Sequence, residues 1–495
     1  MPSIRKVKTG SGGTAIQVVR YDNRRVVVIK HIGSAHTLGD VSALVVRAQE
    51  WIALNTQQQQ LFTKTAPCML DLAHAQYRGI RYTFAYDTLA LVMAHMGWNA
   101  INSPLLCDLA LMRLIEPSSK LRAITLLERY FGIQYAERTV YRILPKLTKC
   151  KADAEKIAVS FAKHTLCDDL SLVLYDVTTL YFETFDADEL RVPGFSKDNK
   201  SQQPQIVVGL LVTRDGFPLG YEVFKGNTFE GHTMLPVLDA FAKAHHIASP
   251  TVVADAAMIS RENVAKLKER ELLYIVGARM ANVSPATIAK VSSLLAQKDG
   301  ATMRVATEHG DLVCDFSSKR YRKNKHEMEK QIAKAKTLVE KGEPGKRAKF
   351  VTRENKSDTY TLNDALVEKT KLLLGVKGYY TNIPKDTLGD KEVVARYHDL
   401  WNVEASFRMS KSDLATRPIF HHKEDAVRAH MVVCFIALAV GRYLERTTGL
   451  SLRGVRDTLW SVTDARIFDT VTKGLIKIYS GYISNFPQKN SMAIR

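Results

Sequence analysis

The order of apolar runs between residues 171 and 277 constrains the fold more than any other feature. SLVLYD (171–176), QIVVGLLV (205–212) and PLGYEVF (218–224) have the length and β-branched content of strands, and TRDGF joins the last two through an Asp-Gly turn. An amphipathic helix, GHTMLPVLDAFAKAHH (231–246), comes next, then a strand, TVVAD (251–255). A helix, ISRENVAKLKER (259–270), and a strand, LLYIVG (272–277), complete the series. Three antiparallel-type strands followed by alternating helices and strands predict a mixed α/β sheet.

That sheet carries carboxylates at informative places. Asp176 ends the first run and Asp255 ends the fourth. Side chains at strand ends project into the crevice where open α/β sheets bind ligands, so neighbouring first and fourth strands would bring the two together. A third carboxylate stands in EVVARYHDLWNVEASFRMSKSDL (392–414), which has no Pro or Gly and reads as one long helix. Tyr397, Trp401, Glu404, Arg408 and Lys411 fall on one face of it at helical spacing. One acid among two cations and two aromatic rings suits a place where a metal meets a phosphate backbone. A half-buried helix laced with its own salt bridges is the plain alternative.

Three converging carboxylates are costly without a cation. Oxygen ligands favour Mg²⁺, with Mn²⁺ as a substitute, over Zn²⁺. Two such ions would serve an in-line phosphoryl transfer. The charge balance points the same way. Lys and Arg total 70 against 51 Asp and Glu, a formal charge of +19, which implies a polyanionic partner, nucleic acid before membrane. The run from Lys319 to Glu354 holds 13 Lys or Arg against 5 Asp or Glu, and reads either as a solvated helix or as a surface tracking DNA. The six cysteines are scattered and form no CxxC, which suits a reducing compartment. No secretory signal is visible, and the most apolar window, 429–440, reads as a buried core helix rather than a membrane span. A cytoplasmic protein is expected.

The first third of the chain is read more coarsely. TAIQVVRYDNRRVVVIK (14–30) predicts a β-hairpin, with GSGG (10–13) as a flexible lead-in. Residues 39–54 and 81–98 predict helices. Between 103 and 149, helices joined by short turns, one at Gly132, resemble a helix-turn-helix with Arg138 and Arg142 exposed for DNA. An ordinary helical bundle fits the same pattern.

Three stretches carry a family resemblance: YDVTTLYFE with Asp176, VVADAAM with Asp255, and YHDLWNVEASFRMSK with Glu404. Together they resemble the DDE transposases of bacterial insertion sequences, within the insertion-sequence-four superfamily and its 1634-like group. That superfamily has a signature of Tyr, two residues, Arg, three residues, Glu, six residues, Lys. Tyr397, Glu404 and Lys411 fall at those spacings, and Leu400 stands where the Arg is expected. GFPLGYEVFKGNTFEGHT, with Gly226, Asn227, Thr228 and Glu230, looks like a further family element.

The resemblance implies a ribonuclease-H-like catalytic core, interrupted by a β-containing insertion, behind a mainly helical DNA-binding region preceded by the hairpin. Its divisions fall at 1–60 (hairpin and helix), 61–160 (helical, DNA-binding), 165–280 (first part of the core), 281–370 (insertion), 371–447 (second part of the core) and 448–495 (C-terminal region, with a role in dimerisation). It implies Asp176, Asp255 and Glu404 as catalytic metal ligands for two Mg²⁺. Tyr397 and Lys411 of the signature would hold DNA phosphates, with Arg408 or Arg396 standing in for the Arg absent at Leu400. Beside what the resemblance implies, Trp401 reads either as a core anchor or as a stacking surface for DNA, and Asn227 is a further candidate DNA contact. The implied partners are terminal inverted repeats and target DNA, handled by a homodimer associated with the bacterial nucleoid. A nuclease of the same core that does not join strands, and a non-catalytic DNA-binding descendant, remain as alternatives.

Overall fold

The computed structural model describes residues 2–22, 25–55, 72–197, 200, 202–247, 250–258, 261–341, 348–353, 360–471 and 474–480. The polar QQQQ run at 57–60 lies outside them. The chain divides into two compact units. The smaller comprises Met1–Thr88, Glu128–Ile133 and Asp457–Arg495, and the larger comprises Leu89–Leu127 and Gln134–Arg456.

The smaller unit begins with an antiparallel meander of β1 (Ser3–Lys8), β2 (Thr14–Asp22) and β3 (Arg25–Ala35). The expected two-stranded hairpin is therefore corrected to three strands. GSGG is no loose lead-in but part of a tight turn, in which the Thr9 amide donates to the Gly13 carbonyl at 2.8 Å. The first strand, SIRKVK, escapes a sequence reading because its apolar residues, Ile4 and Val7, do not alternate. The helix Leu38–Asn55 packs Leu44 and Ala48 against Ile16, Val18 and Ala35. Farther along comes β4 (Ala75–Arg81).

In the larger unit, β5 (Leu172–Tyr181), β6 (Gln205–Val212), β7 (Pro218–Lys225), β8 (Thr251–Ala254) and β9 (Tyr274–Ala278) lie in the spatial order β7-β6-β5-β8-β9. The pairs β5–β8 and β8–β9 are parallel, whereas β6 is antiparallel to both neighbours. The helices Met234–His245 and Arg261–Glu269 make the crossovers. This is the expected mixed sheet, with two differences.

The first strand does not end at Asp176. It continues to Tyr181, because Leu174–Tyr181 stays paired with β6. The second difference concerns the insertion, whose first part stays in the sheet. β10 (Thr302–Thr307) and β11 (Gly310–Phe316) pair with each other, and β11 pairs with β14 (Val376–Thr381), which joins β9. The result is one eight-stranded sheet. A separate layer is built from the helix Ser318–Lys341, the hairpin of β12 (Val351–Arg353) and β13 (Tyr360–Leu362), and the helix Asp364–Leu372. Met328, Ala335, Phe350, Val367 and Leu374 form its small core. The charged run thus folds as a helix with one buried apolar stripe, and most of its Lys and Arg lie at or near the surface.

The long helix Glu424–Thr448 is apolar and long enough to cross a membrane, but 89% of its most apolar window is buried inside the unit. The helices Pro104–Ile115 and Lys151–His164 pack against it. Pro104–Ile115 buries nearly all its length, so part of the stretch expected as a DNA-binding domain helps form this interior. The helix Glu137–Ile143 spans only two turns before a 3₁₀ turn, Leu144–Cys150, and leaves Arg138 and Arg142 exposed. In the smaller unit, β15 (Thr463–Asp469) joins β4 and β16 (Leu475–Ser480) in a second three-stranded sheet.

Candidate active site

The parallel pairing of β5 and β8 brings two of the expected carboxylates together. Tyr175 is in register with Ala254, the last residue of β8, so Asp176 and Asp255 are the next residues on adjacent strands. β8 stops there while β5 runs on. Asp176 is mostly buried, and Lys197 places its ammonium 3.8 Å from the Asp176 carboxylate and 3.1 Å from Glu230. The same ammonium donates to the Val177 carbonyl at 2.7 Å. Burial pushes the Asp176 carboxyl up to about 6; Lys197 opposes the shift, while Asp255 and Glu230 add to it. Asp255 is exposed, and one of its oxygens accepts from the Ala256 amide at 2.6 Å and from the Tyr397 hydroxyl at 3.0 Å.

The stretch around Glu404 is not one helix. Asp390–His398 ends, a tight turn follows at Asp399 and Leu400, and Trp401–Arg408 begins, passing into a π-helical turn at Met409–Asp413. Tertiary anchors outweigh helix propensity here. Asp399 pairs with Arg214 at 2.8 Å, and Asn402 donates to the Arg214 carbonyl at 2.8 Å. Ser406 donates to the Gly216 carbonyl at 2.8 Å. These bonds clamp the second helix to the β6–β7 turn. Gly216 is needed there, since its φ is +82° and a Cβ would stand 2.9 Å from the Asn402 carbonyl oxygen.

The break separates residues expected on one face. Tyr397 is buried, whereas Trp401 is 61% exposed and is no core anchor. Glu404 and Arg408 are exposed, and Lys411 is half-buried in the π-helical turn. Leu400 is buried, so an Arg at that place would enter an apolar setting. Arg396 lines a cavity of about 470 Å³ with Asp169, Leu172 and Thr251, at the amino ends of β5 and β8. That is the opposite end of the strands from Asp176 and Asp255, whereas Arg408 lies one turn after Glu404 on the same helix.

Tyr397 is the group that all three carboxylates influence. Burial, then Asp255, Asp176 and Glu404, raise its pKa, which keeps the phenol a hydrogen-bond donor. In this structure the hydroxyl, expected to hold phosphate, donates to Asp255. Gly277 makes room for it, because a Cβ there would stand 2.4 Å from the hydroxyl. Lys377 on β14 holds its ammonium 4.5 Å from the centre of the Tyr397 ring. Its pKa is lowered by burial and Arg320, while Asp315, Asp255 and Glu404 work the other way.

Glu404 approaches this group without joining a closed ligand sphere. Among the described residues, no three His, Cys, Asp or Glu side chains are gathered tightly enough to hold one ion. Asp176 and Asp255 nonetheless fit a hard divalent cation. They are adjacent oxygen donors, and one of them is pushed toward its neutral form by burial and the neighbouring charge. Asn227 is exposed just after β7, and its neighbour Gly226 packs so closely that a Cβ would stand 2.0 Å from the Gln205 carbonyl oxygen. Sequence reasoning missed Lys197 and Lys377, since a lone Lys in a loop or a short strand carries no signal of its own.

Residues 169–440 match the Transposase DDE domain family, more than half of the chain. The chain belongs to that family. As a member of the DDE transposases it is a DNA-cleaving and DNA-transferring type of enzyme, and domains of this family generally use divalent metal ions. The matched span contains Asp176, Asp255 and Glu404. No curated protein matches the chain. Among solved structures, a piggyBac transposase synaptic complex with hairpin DNA is similar over 77% of this chain and 70% of that chain, at 13% identity and a TM-score of 0.35. Similarity at that level carries no argument about this protein.

Proposed function

We propose that this DDE transposase binds the terminal inverted repeats of a bacterial insertion sequence and catalyses metal-dependent strand cleavage and strand transfer. The observation that carries the reading is the placement of Asp176 and Asp255, each one residue past the Tyr175–Ala254 pair of two parallel strands, inside the span that matches the family. The strand order β7-β6-β5-β8-β9, with β6 reversed, supports a ribonuclease-H-like core.

Asp176, Asp255 and Glu404 would hold two Mg²⁺, with Mn²⁺ as a substitute. Bound divalent ions supply Lewis acidity to the attacking and leaving oxygens of a phosphoryl transfer. The chain's own residues prepare that site. Tyr397 orients Asp255 through its 3.0 Å hydrogen bond. Lys197 offsets the buried charge of Asp176 and Glu230. Arg408 supplies the guanidinium missing at Leu400, and Lys411, Trp401 and Asn227 contact DNA beside it. Arg138 and Arg142 give a further DNA contact. The working form is a homodimer pairing two ends, in the bacterial cytoplasm.

The test is an end-cleavage assay with the full chain and DNA carrying inverted repeats. Asp255→Asn is expected to bind ends normally and to lose cleavage in Mg²⁺, because the ligand charge goes while the shape stays. Normal cleavage by that variant would end the assignment. Cleavage by the wild type without joining would leave a nuclease on the same core.

A further inference from the structure

In a second site of the larger unit every charged or titratable lining group is a base. A cavity of about 90 Å³ opens between the Pro117–Lys120 turn, the loop from Ala415 to His421, and His430 on the long buried helix. Its floor is Arg113, Lys120 and His430, which are 7%, 6% and 3% exposed. Ser119 and Phe420 stand exposed at its mouth.

The hydrogen bonds define the state of these groups. The network assigns the proton of His430 to Nε2, which then donates to the Thr416 carbonyl at 3.0 Å and leaves Nδ1 to accept from the Lys120 ammonium. Arg113 donates to the carbonyls of Leu414 and Ala415 at 3.4 and 3.3 Å. Among the described residues no carboxylate lies within ion-pair distance of Arg113 or Lys120. Glu116, the nearest acid in sequence, pairs with Arg122 at 3.6 Å.

Two buried cations without a counter-charge are expensive. Burial and then Arg113 push Lys120 down to about 7. Burial, Lys120 and Arg113 push His421 down to about 4 and hold His430 well below its ordinary value. A pocket that sheds its own protons in this way is short of an anion. A water needs roughly 10–15 Å³ by the same kind of measure, so the space holds several waters or one tetrahedral oxyanion.

We propose that this pocket binds one phosphate group, with Lys120 and Arg113 as its charged donors and the DNA backbone as the source. Its position favours that source. Ile419 forms a β-bridge with Phe182, just past the end of β5, and the Arg417 guanidinium lies 5.5 Å from the centre of the Tyr181 ring. The loop walling the pocket therefore runs beside the carboxyl end of the strand that carries Asp176, and a DNA backbone crossing that end has a path to it. The choice of DNA rests on the transposase reading, whereas the phosphate site does not.

The experiment uses the full chain, wild type and Lys120→Met, which replaces the ammonium with an apolar side chain of similar length. In one arm, millimolar inorganic phosphate is expected to raise the Tm of the wild type and not of the variant. In the other, duplex DNA is titrated at several salt concentrations without divalent metal. Lys120→Met is expected to weaken binding roughly tenfold at low salt, as for one charge-assisted hydrogen bond. The slope of log affinity against log salt should shrink by about 0.9.

Wild-type affinity for DNA is expected to fall as pH rises through the titration of Lys120, and the variant should lack that fall. The groups facing Lys120 are Arg113, Glu116, Arg417, His421, His430 and Cys434. His421→Ala, at the wall of the pocket, should lose part of the phosphate effect and checks the result independently of the core. A phosphate shift in the wild type with unchanged DNA binding by Lys120→Met would assign the pocket to free phosphate and overturn the DNA source. No phosphate shift, with an unchanged salt slope in folded Lys120→Met, would overturn the site. If the chain proves unable to cleave DNA, the phosphate arm still stands or falls alone.

Discussion

The carboxylate site and the basic pocket lie in the same unit and are both crowded with like charge, yet they handle it differently. Around Asp176 the fold supplies cations: Lys197 sits against Asp176 and Glu230, and Lys377 lies over the Tyr397 ring. Around Lys120 no described carboxylate reaches ion-pair distance of the ammonium, and the positive charge is reduced by lowered pKa values instead. The comparison teaches that local compensation and local shortage mark different demands. A site that positions its carboxylates with lysines and a tyrosine is set up to hold cations in a defined geometry. A pocket that buries Arg113 and Lys120 without a carboxylate at ion-pair distance is set up for an anion that brings its own charge.

The largest effect expected from breaking this comparison is at Glu404. Glu404→Gln should abolish cleavage while leaving DNA affinity within about twofold, because an exposed neutral isostere disturbs no packing. Single-turnover cleavage and a binding titration check it, and undiminished cleavage would remove Glu404 from the ligand set. Next comes Tyr397→Phe, which deletes the 3.0 Å hydrogen bond to Asp255 and keeps the ring under Lys377. The expected loss is roughly 10- to 100-fold in cleavage, the usual cost of removing a group that orients a metal ligand. Gly277→Ala approaches the same bond from the backbone side, since its Cβ would fall 2.4 Å from the Tyr397 hydroxyl. It should cost about 1–3 kcal/mol of stability by chemical denaturation and slow cleavage as well.

A smaller effect separates the basic pocket from the carboxylate site by pH. Lys120 has a folded pKa of about 7, below its unfolded value of 10.5. The unfolded chain therefore binds more protons between those values, and stability rises with pH across that range. Lys120→Met should flatten the rise and be at least as stable as the wild type at neutral pH, which thermal unfolding from pH 6 to 9 measures. The smallest effect is expected at Lys411. Lys411→Ala should reduce the salt slope of DNA binding by about one while leaving sequence preference unchanged.

Several parts of this architecture were legible in the residues. The strands and helices from 171 to 277 could be read in order, because β-branched runs of strand length and amphipathic periodicity are local properties. Asp176 and Asp255 could be picked out because they follow or close such runs. Other parts were not legible. β1 lacks alternation, and the fate of residues 302–316 depends on pairing with a strand more than sixty residues later. The long helix at 392–414 was read from propensity, whereas its break at Asp399 comes from Arg214 and the β6–β7 turn, some 185 positions away. Helical spacing already made Arg408 the better aligned of the two candidates to stand in at Leu400, whereas the placement of Arg396 beside Asp169, at the amino end of β5, depends on contacts that no local pattern shows.

By itself the sequence determined the mixed α/β pattern, the basic balance of the chain and the residue types from which a metal-dependent site could be made. These follow from composition and from periodicity within a dozen residues. Tertiary structure alone decided which of those residues meet. It set Asp176 beside Asp255 through a parallel register, turned Tyr397 inward onto Asp255 and Trp401 outward, and put Lys197 against Asp176. It also gathered Arg113, Lys120 and His430, more than three hundred positions apart at the extremes, into one pocket. The physical reason is the same in each case. Burial and charge are properties of a place, and a place in this protein is made by segments that come together only when the sheet and the long buried helix have formed.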